Sequence, residues 1–305
     1  MRILLRTTGS SFFLEKAGSG NIEKAATEEE YFTLTGMDYV IPEMREEEYF
    51  DAPVQFRRNS ALTAEHFKGF FHFHTNYSDG VNTLEEMVSY CINEGYTHFA
   101  VCDHSKTAAY AGGMNEEKVM RQRDEIQKVS QKLGVKILSG VESDILPDGS
   151  LDYDQDFLST FNLVVASVHS SFNLSEGEMT ARIIRAVENP CTDILGHPTG
   201  RLLLRRDSYK VDIIKVIDAC AANNVAIEIN ASPYRLDLDW RNIYYAREKG
   251  CIIAINPDAH SLGDIRKTKY GINVARKGGL QPEEVLNCFA FDDLVNYLNR
   301  KIKKV

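Results

Sequence analysis

The chain has 305 residues, 43% of them hydrophobic and 26% charged, enough to bury a sizeable core in one large α/β domain or two ordinary ones. Lys and Arg number 35 against 44 Asp and Glu, a net charge of −9, which speaks against non-specific polyanion binding over the whole surface but not against a local basic groove. The six cysteines (91, 102, 191, 220, 251 and 288) stand singly, the N-terminal apolar stretch is too short for a signal peptide, and no apolar run reaches membrane length; reduced thiols, no membrane partner and a cytoplasmic location are expected.

Residues 1–60 differ in texture from the rest. Ile3–Leu5 reads as a short apolar strand and Ser10–Ala17 as a short helix. Thr27-Glu28-Glu29-Glu30 is a capping box that opens a helix ended by Gly36. Met44–Phe50 is acidic and offers few apolar residues, so this segment is expected to lack a core of its own and to dock on the main domain. From about residue 67 a regular alternation begins. Strand-like runs fall at Gly69–Thr75, Thr97–Asp103, Lys136–Glu142, Leu163–His169, Asp193–His197, Ala226–Asn230 and Cys251–Asn256. Helical patterns lie between them: Thr83 to Gly95, Asn115 to Gly134, Ser175 to Asn189, Val211–Asn223 and Asp239–Lys249, with Pro282–Asn287 and Phe291–Lys304 at the C-terminal end. Seven short, mostly unbroken apolar strands alternating with helices predict a parallel sheet, covered on both faces or closed into a barrel.

Residues two apart in a strand share a face, so His72 and His74 are expected to point one way and Phe71 and Phe73 the other. The same chemistry recurs at later strand ends: Asp103-His104, Glu142, His169, His197, and Asp258-Ala259-His260 after the seventh strand. In an α/β barrel the reactive groups sit at these C-terminal ends. His66 and His98 lie elsewhere and read as surface or packing residues. Nine candidates converge: His72, His74, Asp79, His104, Glu142, His169, His197, Asp258 and His260. Nine is too many for one tetrahedral ion and suits two or three ions sharing a carboxylate. Imidazole with carboxylate favours divalent Zn, Mn or Fe over Mg or Ca.

Taken as an ordered set, His-x-His-Thr-x-Tyr-Ser-Asp-Gly at 72–80, Asp-His-Ser at 103–105, Gly-x-Glu at 140–142, Ser-x-His at 167–169, Gly-His-Pro at 196–198 and Asp-Ala-His at 258–260 resemble the PHP (polymerase and histidinol phosphatase) metal-dependent phosphoesterases. Gly196-His-Pro-Thr-Gly-Arg-Leu-Leu, Ile227-Glu-Ile-Asn, Arg235-Leu-Asp-Leu and Asp258-Ala-His-Ser are similar to the PHP domain that ends bacterial family X DNA polymerases. The resemblance implies a distorted (β/α)7 TIM-like barrel over 61–305. It makes residues 1–60 a short appendage, a remnant resembling the end of the polymerase thumb plus a linker. It also implies the ligand sets: His72, His74, Glu142 and Asp258 for one ion, Glu142, His169 and His197 for a second, and Asp79, His104 and His260 for a third. Two departures stand beside the site, Pro257 before Asp258 and Ser232 where Asn is usual. Residues 1–60 contain no Asp-x-Asp, so polymerase activity is not expected of this chain.

A cluster of divalent ions acidifies a bridging water to a hydroxide and stabilises charge on a leaving oxygen. Glu142, Asp258 and His104 are therefore expected at the centre of catalysis, with Arg201 as the candidate for a non-bridging phosphate oxygen and Arg235 as another. The other reading of both arginines is a surface salt bridge. Ser105, Tyr77 and Asn230 are candidates to orient ligands, and Cys102 is expected to face the core. The expected function is phosphate-ester hydrolysis, as a 3′–5′ exonuclease-like phosphodiesterase on DNA ends. The alternatives are a small-molecule phosphatase of the histidinol-phosphate type and a non-catalytic metal-binding module.

Overall fold

The computed structural model describes residues 2–300. Seven strands, β1 (Gly69–Phe73), β2 (His98–Val101), β3 (Lys136–Asp144), β4 (Leu163–Ser167), β5 (Ile194–Leu195), β6 (Ala226–Asn230) and β7 (Ile253–Asn256), form one parallel sheet in sequence order. The sheet curls round until Phe73 of β1 bridges Ala259 beyond β7, with the His74 amide donating to the Ala259 carbonyl at 2.8 Å. The fold is thus the expected TIM-like (β/α)7 barrel, and all seven strands fall where the apolar runs placed them.

The remaining gap between β1 and β7 is bridged by a side chain. Asn287 is buried; its Oδ1 accepts from Ile255 N (2.7 Å) and its Nδ2 donates to the Gly69 carbonyl (3.2 Å). The predicted helix at Pro282–Asn287 is instead two tight 3-10 turns, Pro282–Glu284 and Leu286–Cys288, because this stretch must run along the seam and bridge Ile253 through Val285. Phe291–Leu298 is helical as expected, and the final part of that predicted helix lies outside the described residues.

Strand parity sorts the side chains. Ala100, Leu163, Val165, Ile194, Ala226 and Ala254 share one apolar cluster with Leu286, Leu294, Tyr297 and Leu298, so this set fills the barrel and the last helix plugs its N-terminal end. Their alternates, including Val141, Val164, Ala166, Leu195, Ile227, Ile229, Ile253 and Ile255, pack outward against Met179, Ile183, Val216 and Ile217 of the surrounding helices. Continuing along the inward rows, Ala226 gives way to Glu228 and Asn230, and Ala254 to Asn256. The interior therefore turns polar toward the C-terminal ends of the strands.

The alternation expected in β1 is broken. Phe70 and Phe73, not Phe71 and Phe73, pack together (ring centroids 5.5 Å apart), while Phe71 joins the barrel interior. The cause is His72, whose φ of 47° puts a left-handed residue inside the strand where its register with β2 slips.

The N-terminal segment differs from expectation twice. Arg2–Thr8 is helical, with no strand at Ile3–Leu5, and the segment does hold a small core of its own. Phe13, Tyr31, Phe32 and Tyr49 gather with Leu5, Leu14 and Met44, since a few large rings bury much area from a short chain. Fully buried Arg45 ties this cluster together by donating to Glu28 and Thr8 at 2.7 Å each and to the Val40 carbonyl. Thr27 caps its helix by accepting from Glu30 N, though Glu30 accepts from Ala26 N and so leaves the expected box half made; Ser10 caps the helix before it, and Gly36 ends its helix at φ 70°. Ion pairs help dock it on the barrel: Arg276 to Glu43 (2.8 Å), Lys277 to Glu46, and Arg58 to Glu283 (2.8 Å). No described helix is long and apolar enough to cross a membrane.

Candidate metal centre

The C-terminal mouth of the barrel brings all nine candidates together. Glu142, buried near the end of β3, is the hub. Its Oε1 stands 3.1 Å from His197 Nε2, 3.2 Å from His72 Nε2 and 3.3 Å from His169 Nε2; its Oε2 stands 3.1 Å from His104 Nδ1 and 3.6 Å from His74 Nε2. Asp258 Oδ1 lies 3.0 Å from His74 Nε2 and 3.6 Å from His72 Nε2. Asp79 Oδ1 lies 3.3 Å from His260 Nε2 and 3.7 Å from His104 Nε2. Donor atoms cluster within 4.8 Å in three overlapping groups: His72, His74, Glu142 and Asp258; His74, Asp79, His104 and His260; and His104, Glu142 and His169. These groups differ from the expected sets in sharing His74 and His104, while His197 stays within reach of both Glu142 and His169 (3.3 Å between ring nitrogens).

The backbone is bent to make this convergence. Besides His72, His197 (φ 24°) and Asp258 (φ 53°) occupy left-handed conformations that non-glycine residues seldom adopt. Asp103 is buried behind the turn that carries Asp79. It accepts from Thr75 N (2.8 Å), Thr75 Oγ1 (2.6 Å), Ser78 N (3.1 Å) and Gln122 Nε2 (2.6 Å). Gly80 closes that turn; a Cβ there would sit 2.6 Å from the His74 carbonyl carbon.

The residues fit a cluster of cations. His72 Nε2, His104 Nδ1 and Glu142 Oε2 are buried without a hydrogen-bond partner, although each lies close to an oppositely matched atom. Burial disfavours charge on His72, yet Glu228, Glu142 and Asp258 outweigh it and hold its pKa well above the usual imidazole value. By the same contest between burial and carboxylates, His169 is pushed up to about 10, chiefly by Glu142, and His260 to about 9, chiefly by Asp79. His74, buried beside His104 and His260, is pushed down to about 3. Glu142 and Asp258 are held well below the carboxylate range because nearby imidazoles overcome the effect of burial. The carboxylates thus favour positive charge at this centre, which divalent ions binding here would supply.

Three outer partners were not singled out from the sequence. Glu228, fully buried, accepts from His72 Nδ1 at 2.5 Å and from the His197 amide at 2.8 Å. Asp144 pairs with His169 Nδ1 at 2.7 Å, and Asn256 Nδ2 donates to Glu228 at 3.0 Å. Such carboxylates fix the ring tautomer and orientation of a ligating histidine. A signal existed: Asp144 is two residues from Glu142, hence on the same face, and Glu228 interrupts the inward apolar row of β6. Of the orienting residues proposed, Asn230 donates to Asp258 Oδ2 (3.1 Å) and Ser105 Oγ accepts from Asp144 N (3.0 Å). Tyr77 instead turns away to donate to Glu125 (2.8 Å). Cys102 is buried toward the barrel core, as expected.

The two arginines stand in different surroundings. Arg201 is committed: Nη1 to Asp239 (2.7 Å), Nε to the Arg235 carbonyl (2.8 Å) and Nη2 to the Leu236 carbonyl. These bonds engage three of its five N–H groups. Arg235 pairs loosely with the site, its Nε 3.9 Å from Asp258 Oδ2 and its Nη1 buried without a hydrogen-bond partner. Opposite, Tyr110 is 69% exposed and presents its ring edge-on to His104 (5.9 Å) and His169 (6.3 Å). Of the two set-aside histidines, His66 caps a 3-10 turn through Thr63, and His98 is buried against Phe71 and Phe291 at the far end of the barrel.

The PHP domain profile matches residues 71–232. A Bacillus subtilis protein named DNA polymerase/3'-5' exonuclease PolX is 37% identical over 95% of this chain, which spans 51% of that relative's length. A Thermoanaerobacter protein named Probable phosphatase is 29% identical over 77% of this chain and 95% of its own. Among solved structures, one from Listeria monocytogenes described as a candidate histidinol phosphatase superposes with a TM-score of 0.50 at 15% identity, covering 65% of this chain and 97% of the other.

Proposed function

Given that the chain belongs to the PHP domain family and is a metal-dependent phosphoesterase, we propose that it acts as a 3′–5′ exonuclease-like phosphodiesterase on DNA ends. The phosphoester chemistry is carried by one observation: Glu142 presents both carboxylate oxygens to five histidines within 3.6 Å, the arrangement needed to bridge ions. The choice of DNA ends is supported by likeness to the Bacillus relative over 95% of this chain, its N-terminal segment included.

In this reading His72, His74, Asp79, His104, Glu142, His169, His197, Asp258 and His260 hold two to three divalent ions of zinc, manganese or iron. The ions supply an acidified water and a Lewis acid for the phosphate. Glu228 and Asp144 hold His72 and His169 with their remote nitrogens protonated, which leaves the lone pairs facing the centre. Arg235 takes a non-bridging phosphate oxygen through its unpartnered Nη1 and so orients the ester. The buried flank of His72, His74 and His197 keeps bulk water out on one side, leaving the mouth near Tyr110 and His260 for the substrate.

The test compares manganese-supplemented activity on a 3′-recessed oligonucleotide and on phosphomonoesters. Release of 3′ nucleotides is the expected outcome; hydrolysis of the monoester alone would reject the nuclease reading. That second reading, a small-molecule phosphatase, is favoured by the Thermoanaerobacter relative, whose length is covered almost completely by part of this chain.

A further inference from the structure

The rim beside Arg235 carries a hairpin that ester hydrolysis does not call for. Leu202 and Arg206 pair through two backbone hydrogen bonds of 2.8 Å, which lifts Leu203, Leu204 and Arg205 into a tip. Its base is firm. Arg206 donates to the Gly200 carbonyl (2.7 Å) and covers Phe172 (4.2 Å), which in turn stacks on Tyr209 with the planes 13° apart. The tip is also tethered, since the Leu203 amide donates to the Tyr234 carbonyl at 2.6 Å.

What the tip displays is unusual for a solvent loop. Leu204 is fully exposed, Tyr234 is 55% exposed, and the Arg205 guanidinium lies 5.4 Å over the Tyr234 ring. Among the described residues Arg205 has no carboxylate partner. Tyr234 directly precedes Arg235, so the ring stands one residue from the side chain that reaches Asp258. On a chain of net charge −9, Arg205, Arg206 and Arg235 make this rim locally cationic.

We propose that this hairpin and Tyr234 form the seat for the nucleotides adjoining the scissile phosphate of a single strand. Tyr234 takes a base on its ring, Arg205 takes the neighbouring backbone phosphate, and Leu204 lies against the next base. Aromatic stacking is tolerant of sequence because every base has a π-face, and an unpaired arginine beside it supplies the phosphate contact. The inference rests on the DNA-end reading and extends it to where the strand lies.

The experiment uses the full chain and a 5′-fluorescein-labelled single-stranded oligothymidylate, with binding read by anisotropy and cleavage by gel. Tyr234→Ala and Arg205→Ala are each expected to weaken binding about tenfold and to raise KM for the oligonucleotide with kcat retained. Tyr234→Phe should bind like the wild type. Arg205→Ala should flatten the salt dependence of binding by roughly one phosphate contact, a change of about 0.7 in the log–log slope. Turnover of p-nitrophenyl phosphate, too small to reach the tip, should be unchanged in all three variants. Wild-type affinity in both alanine variants would overturn the seat and leave the DNA-end reading standing. Tight, Tyr234-dependent binding without cleavage of the strand would overturn the DNA-end reading and leave the seat standing.

Discussion

Replacing Glu228 by glutamine tests whether the centre depends on its outer carboxylates. Every neighbour of Glu228 is a donor: His72 Nδ1 at 2.5 Å, the His197 amide at 2.8 Å, Asn256 Nδ2 at 3.0 Å and Asn230 Nδ2 at 3.5 Å. Glutamine is nearly the same size but brings an NH2 group into this ring of donors. Turned toward the His197 amide, it leaves that buried N–H unpaired. Turned toward His72, it forces Nδ1 to accept, which moves the ring proton to Nε2 and removes the lone pair facing Glu142. Either outcome loses one charge-assisted hydrogen bond, about 1.5–3 kcal/mol. Loss of an outer carboxylate of this type lowers metal affinity on the order of 10- to 100-fold, which is about 1.4–2.7 kcal/mol and so agrees with that figure. Manganese titration by calorimetry reads the affinity, and thermal melts in EDTA report whether the fold is retained. A Glu228→Gln protein that folds and binds manganese within about threefold of wild type would refute the argument.

The two arginines should part company on mutation. Arg235→Ala is expected to lower kcat on any phosphate ester by about 100-fold with little change in melting temperature, whereas Arg201→Ala should destabilise the fold by about 2 kcal/mol through its lost bonds to Asp239 and two carbonyls; the reverse pattern in kinetics and urea titration would restore Arg201 as the phosphate ligand. His98, 2% exposed, has its pKa pushed down to about 4 by burial and by Lys68, against 6.5 when unfolded. The unfolded state therefore binds the proton more readily, so stability is fully present above pH 6.5 and falls by up to about 3 kcal/mol as pH drops toward 4. In urea titrations run in EDTA, His98→Leu should flatten this part of the profile; an unchanged difference between about pH 7 and pH 4.5 would show that His98 does not contribute.

The positions of the candidate ligands were legible because parallel β/α order alone dictates that strand C-termini meet. His104, His169 and His197 could be placed together without knowing a single contact. The broken alternation at β1 was not legible. Nothing in Phe-Phe-His-Phe-His announces a left-handed residue, and it is convergence with Glu142, Glu228 and Asp258, all remote in the chain, that holds His72 there. Arg201 and Arg235 differ only in what lies around them: Asp239 and two carbonyls engage one, and no sequence pattern encodes those contacts. Ile3–Leu5 misled for a local reason, since three apolar residues are too few to separate period 2 from period 3.6. Of these three residues only Leu5 is buried in the helix that forms, while Ile3 and Leu4 face solvent.

The left-handed backbone at His72, His197 and Asp258 gives the centre an inheritance of its own. Each such conformation costs on the order of 1–3 kcal/mol for a residue with a Cβ. Glycine at any of the three would relieve that cost while deleting a candidate ligand. In a lineage no longer selected for catalysis, drift would run downhill, toward a barrel more robust when empty of ions and unable to bind them. A barrel with glycine at these three places would then be the more stable one without ions and the poorer at holding them.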